Sequence, residues 1–130
     1  MTRLALILFA GLIGCATQTV DKEKYVEWSS FDGVKIFDPL SAVEAKRVGK
    51  RLAEKDFKLG YYRRLYYGFP TDPSKPERRL YKNYGVRGCS VAGCVVTEGL
   101  VEGADSYNET MHSLINQKYG RDVFKESGFE

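Results

Sequence analysis

The stretch LGYYRRLYYGFPTDPSKPERRLYKNYGV, residues 59–86, decides the fold. It opens on an aromatic run at 61–67 and closes on a second at 80–84, with a proline-containing turn, TDPSKP, at 71–76 between them. Aromatic residues bounded by turn formers favour extended chain, so 59–67 and 79–86 are expected to pair as a hairpin with a long loop. The fold class that follows is α+β: a small single domain with a short antiparallel sheet packed against two main helices.

Those helices flank the aromatic stretch. On its N-terminal side, DPLSAVEAKRVGKRLAEKDF at 38–57 places Asp38 to cap and Pro39 at the first helical position. Leu40, Val43, Val48 and Leu52 recur at near-helical spacing, which predicts a helix over 39–55 with an apolar face on those residues. Ser41 and Glu44 offer a competing capping box, and Lys46, Arg47, Lys50 and Arg51 form a solvated opposite face. On the C-terminal side, Thr97 can cap a helix whose apolar face is Leu100, Ala104, Tyr107, Met111, Leu114 and Ile115, with Gly120 as its stop. Glu98, Glu102, Asp105 and Glu109 lie on its polar side, and His112 falls off the apolar stripe at a surface or boundary position. Asp122 caps a last turn from which Val123 and Phe124 fold back onto the core.

The chain has 130 residues, 43% hydrophobic and 28% charged, which suits one globular domain. Its 20 basic and 17 acidic residues give a net charge of +3, too balanced for a nucleic-acid-coating protein, and no nucleic-acid partner is expected. That total hides an asymmetry, because residues 58–88 carry 8 basic and 2 acidic side chains whereas 89–130 carry 3 and 7. The basic middle interleaves Arg and Lys with tyrosine: Tyr61, Tyr62, Arg63, Arg64, Tyr66, Tyr67, Arg78, Arg79, Tyr81, Lys82, Tyr84 and Arg87. Arg pairs bidentately with carboxylate or phosphate and Tyr stacks on rings, so Tyr61, Tyr62, Arg63, Arg64, Tyr66, Arg78, Arg79 and Lys82 form the candidate partner-binding set. The competing reading is a core of tyrosines with solvated arginines, since strand alternation sends one member of each adjacent pair to each face.

The N-terminus reads MTRLALILFAGLIGCATQT. Arg3 precedes an apolar run over 4–13, about ten residues, short of the roughly 20 that span a bilayer and suited to a signal-peptide core. Leu12-Ile13-Gly14-Cys15 resembles the lipobox of bacterial lipoproteins. That resemblance implies cleavage of a signal peptide over 1–14 and acylation of Cys15; the polar stretch that follows then reads as a lipidated tether over 15–24, and the length and composition of the rest as a single globular domain over 25–130. Several acyl chains at about 0.8 kcal/mol per buried CH₂ make a lasting anchor. Ala16, where Asp is absent, resembles the pattern that permits export to the outer membrane, facing the periplasm. The segment 93–124 also loosely resembles the C-terminal part of small uncharacterised bacterial lipoproteins, a likeness that implies no activity.

In an exported chain, Cys89 and Cys94 of GCSVAGC read as a local disulfide that fixes the turn before the C-terminal helix. Redox chemistry is disfavoured by the four intervening residues, and a zinc site by the missing fourth ligand beyond Cys89, Cys94 and His112. No catalytic residue, cofactor or metal is assigned. The expected function is a non-catalytic binding or structural module of the cell envelope, held to the membrane by its lipid and engaging an envelope or secreted protein or an anionic envelope component. The alternative is a periplasmic immunity protein or inhibitor of a toxin or envelope hydrolase, and a hydrolase of its own is disfavoured because no nucleophile or acid/base set emerges.

Overall fold

The computed structural model describes residues 32–69, 72–92 and 96–129. The expected signal peptide, Cys15, the expected tether and Cys94 lie outside the described residues. The described elements run α1 (Gly33–Phe37), α2 (Ala42–Leu59), β1 (Arg63–Tyr67), α3 (Lys75–Tyr84), β2 (Arg87–Ala92), α4 (Glu98–Tyr119) and α5 (Val123–Ser127). No helix among the described residues is long and apolar enough to cross a membrane.

The expected antiparallel hairpin is not formed. β1 and β2 pair in parallel, with Arg63 opposite Arg87 and Leu65 opposite Cys89, and the second aromatic run is the helix α3. The reason is local. Ser74 caps α3, accepting from the Glu77 amide while the Glu77 carboxylate returns a bond to the Ser74 amide, and Pro76 sits in the first turn. Gly85 closes the helix in the left-handed region at φ 69°, and Leu80 is its buried contact to the core. These end signals outweigh the β preference of the tyrosines, and a helix between two strands returns the chain for parallel pairing. The second strand therefore begins at Arg87, after the residues expected to form it.

The outer edge of β1 is closed by a side chain. Asn108 of α4 accepts from the Leu65 amide at 2.7 Å and donates to the Leu65 carbonyl at 2.8 Å, taking the part a third strand would play. The amide and carbonyl of Leu65, a residue only 3% exposed, are thus satisfied without more sheet.

α2 and α4 form the main helix pair. α2 begins later than expected because the Ser41–Glu44 capping box forms, while Asp38 instead accepts a 2.6 Å bond from the Thr97 hydroxyl. Its buried face is also not the expected one: Ala45, Gly49, Ala53 and Asp56 turn inward, and Val43 is 71% exposed. Small residues four apart let the backbones approach, so that a β-carbon on Gly49 would run into the Gly103 carbonyl oxygen. Ser106 donates to the Lys46 carbonyl across the same seam at 2.7 Å. α4 runs as the spacing predicts, with Thr97 as cap and Gly120 as stop, and buries Leu100, Tyr107, Met111 and Ile115 completely.

Candidate functional site

The candidate binding residues divide into three groups once the elements are in place. The first lies inside. Arg63, 6% exposed, donates through Nη1 to Asp56 Oδ2 at 2.6 Å, and Tyr107 donates its hydroxyl to the same oxygen at 2.6 Å. Burial opposes the charged guanidinium, the adjacent Asp56 carboxylate outweighs it, and the Arg63 pKa is raised. Burial and then Asp56 push the Tyr107 hydroxyl well above its ordinary range, and burial raises the Cys89 thiol. This knot ties the last turn of α2 to β1 and α4, so the Arg63 charge is spent within the fold. Tyr61 packs its ring 5.1 Å from the Arg63 guanidinium carbon. Half-buried Tyr62 accepts a 2.7 Å bond from Lys118 and rests near Phe57.

The second group surrounds a groove between α3 and the sheet. Tyr66, Pro73, Glu77, Arg78, Tyr81, Val86, Arg87 and Gly88 line a cavity of about 260 Å³. Gly88 keeps its floor open, because a β-carbon there would stand 3.3 Å from both the Tyr66 ring and the Glu77 carboxylate. The Arg87 guanidinium carbon lies 4.6 Å from the centre of the Tyr81 ring, and Arg78 Nε donates to the Pro73 carbonyl at 2.9 Å. Lys75, Arg78, Arg79 and Lys82 are all exposed on α3 beside it. The groove is thus walled by aromatic rings and rimmed by cations, with the Glu77 carboxylate held by the Ser74 amide at 2.6 Å. Glu77 and Gly88 escape a reading based on aromatic and basic residues; the S-x-x-E spacing at 74–77 is the signal that would have placed Glu77.

Arg64 stands in the third group. Its guanidinium carbon lies 4.4 Å from the centre of the Phe129 ring, at a cavity it shares with His112, Asn116, Asp122, Phe124, Lys125 and Gly128. His112, expected at a surface or boundary position, is half-buried and stacks on Phe124 with ring centres 3.6 Å apart. Burial first, then the Arg64 charge, lowers its pKa to about 4, with Asp122 opposing, so the imidazole is neutral at pH 7.

Elsewhere the acidic side of α4 is partly engaged, since the Tyr67 hydroxyl bonds both the Val101 carbonyl and Asp105 at 3.2 Å. Burial and then Asp105 push that hydroxyl up to about 12. Cys89 is buried at 2% exposure. Among the described residues no group of three or more His, Cys, Asp or Glu is placed to hold a metal ion. Compared with protein-family models, with curated proteins and with solved structures, the chain matches none, and its function is read from its own residues.

Proposed function

We propose that this chain is a lipid-anchored, non-catalytic binding module of the bacterial cell envelope that presents α3 and its groove to an acidic protein partner. The observation that carries the reading is the concentration of Lys75, Arg78, Arg79 and Lys82 on the open side of one short helix, beside a cavity walled by Tyr66 and Tyr81. Aromatic anchors flanked by arginine are the residues that contribute most at protein interfaces, and exposed cations steer an acidic partner toward them. Glu77, the carboxylate that lines the groove, is committed to the α3 cap, which supports a binding role.

The anchor belongs to the same proposal and rests on the resemblance of Leu12-Ile13-Gly14-Cys15 to a lipobox. A lipidated Cys15 tethers the domain to the membrane, with outer-membrane placement following from Ala16. Metabolic labelling with a palmitate analogue tests it: the native protein takes up label and Cys15→Ser does not. Capture from envelope extract with the full lipoprotein tests the surface. An acidic protein retained by the native chain and lost with Arg78→Glu, Arg79→Glu and Lys82→Glu together is the expected result; equal retention by both overturns the α3 assignment. If the retained protein is a toxin or hydrolase whose activity falls on binding, the module acts as an inhibitor.

A further inference from the structure

Away from the α3 groove, the second cavity is an open cleft of about 690 Å³, within the range of small-molecule sites. β1 supplies Arg64, α4 supplies His112 and Asn116, α5 supplies Phe124 and Lys125, and Phe129 follows α5. Three features stand out there, beside the Arg64 guanidinium resting over the Phe129 ring. His112 Nε2 is sealed from solvent with no hydrogen-bond partner among the described residues. Leaving such a group unmade costs about 1–3 kcal/mol, which a purely structural position would avoid by carrying an apolar residue. Arg64 makes neither of the two ion pairs found among the described residues, Arg63–Asp56 and Arg121–Glu126, and Lys125 projects from an exposed position on the same rim.

The carboxylate on the wall is already occupied. Asp122 Oδ1 accepts from the Lys125 amide at 3.1 Å and from Asn116 Nδ2 at 3.5 Å as the cap of α5, while Asn116 Oδ1 takes the Val123 amide at 3.0 Å. From α3, Arg79 adds a further cation near the rim, 3.7 Å from where a β-carbon on Gly128 would stand. Two phenylalanine rings complete the walls. Cations in excess and apolar walls suit an anion with an apolar body, and they disfavour a cation.

We propose that this cavity binds a small carboxylate with an apolar body, the carboxylate pairing with Arg64 and Lys125 beside His112, and the body lying against Phe124 and Phe129. An arginine fork matches a carboxylate in geometry as well as charge. The cavity is distinct from the α3 groove, with Arg79 near its rim, and the proposal stands whether or not a protein partner docks on α3.

The chain has one histidine, so the imidazole resonances of histidine-labelled full-length protein in detergent report this cavity alone. Titration with benzoate is expected to move them saturably, and inorganic phosphate at the same concentrations is not. Arg64→Gln should weaken benzoate by about tenfold or more, and Lys125→Gln, an exposed change that leaves the fold intact, by several-fold. Absence of a saturable benzoate shift overturns the proposal, as does an undiminished response in Lys125→Gln. Phosphate matching benzoate overturns the requirement for an apolar body.

Discussion

The two sides of this domain are built differently. On one, α2 and α4 meet where Gly49 lies against the Gly103 backbone, with Ala45 and Ala53 buried along the same face of α2. On the other, β1, α3, β2 and α5 meet through tyrosine, phenylalanine and arginine, and both cavities open there. Small residues leave no room to adapt, whereas large aromatic and cationic side chains pack with gaps and keep polar ends available. The difference assigns the roles: the helix seam is the scaffold, and the sheet side is the surface that recognises.

The contrast can be broken most severely at Gly49. In an isolated helix Gly→Ala stabilises by about 1 kcal/mol. Here the added carbon meets the Gly103 carbonyl, a backbone atom with no rotamer to escape into, so Gly49→Ala is expected to destabilise by about 4 kcal/mol or more. Urea unfolding measures the sign directly, and a stabilised variant would show that the seam is not close-packed. Next comes Asp56→Ala, which leaves the Arg63 charge and the Tyr107 hydroxyl buried without their shared acceptor and should cost about 3 kcal/mol. Asp56→Ala with Arg63→Met should recover part of that loss.

Smaller effects sharpen the sheet side. Asn108→Ala opens the edge of β1 by unpairing the amide and carbonyl of Leu65, at about 2 kcal/mol, with faster amide exchange at Leu65 as the local signature. Lowest in the order is His112. Its folded pKa, about 4, lies below the unfolded value of about 6.5, so the unfolded chain binds the extra proton between them. Its contribution is complete above about pH 6.5 and is lost as the pH falls toward 4. Moving from pH 7 to pH 5 should therefore cost the native protein about 2 kcal/mol more than His112→Phe, compared by urea midpoint at each pH.

Legibility in the sequence follows the same divide, though with the sides exchanged in part. α4 was readable end to end because Thr97, Gly120 and a stripe of large apolar residues all agree. The buried face of α2 was not, since alanine and glycine carry little hydrophobic signal and the larger Val43 drew the face toward solvent. α3 shows local signals in conflict: tyrosines favour a strand, while Ser74, Glu77 and Gly85 mark both ends of a helix, and the ends prevailed. Arg63 and Arg64 are adjacent and chemically alike, so strand alternation says that they part but not which goes inside. Asp56 settles that through tertiary contact, which no local pattern contains.

Recognition by the α3 face is tested most directly by photo-crosslinking in the native cells, with a benzophenone amino acid placed either at Tyr81, in the groove, or at Val43, exposed on α2. The account predicts a discrete crosslink to an acidic envelope protein from position 81, lost when Arg78, Arg79 and Lys82 are reversed to Glu, and no such product from position 43. Crosslinks of equal strength from both positions, or a product at 81 that survives the charge reversal, would contradict it.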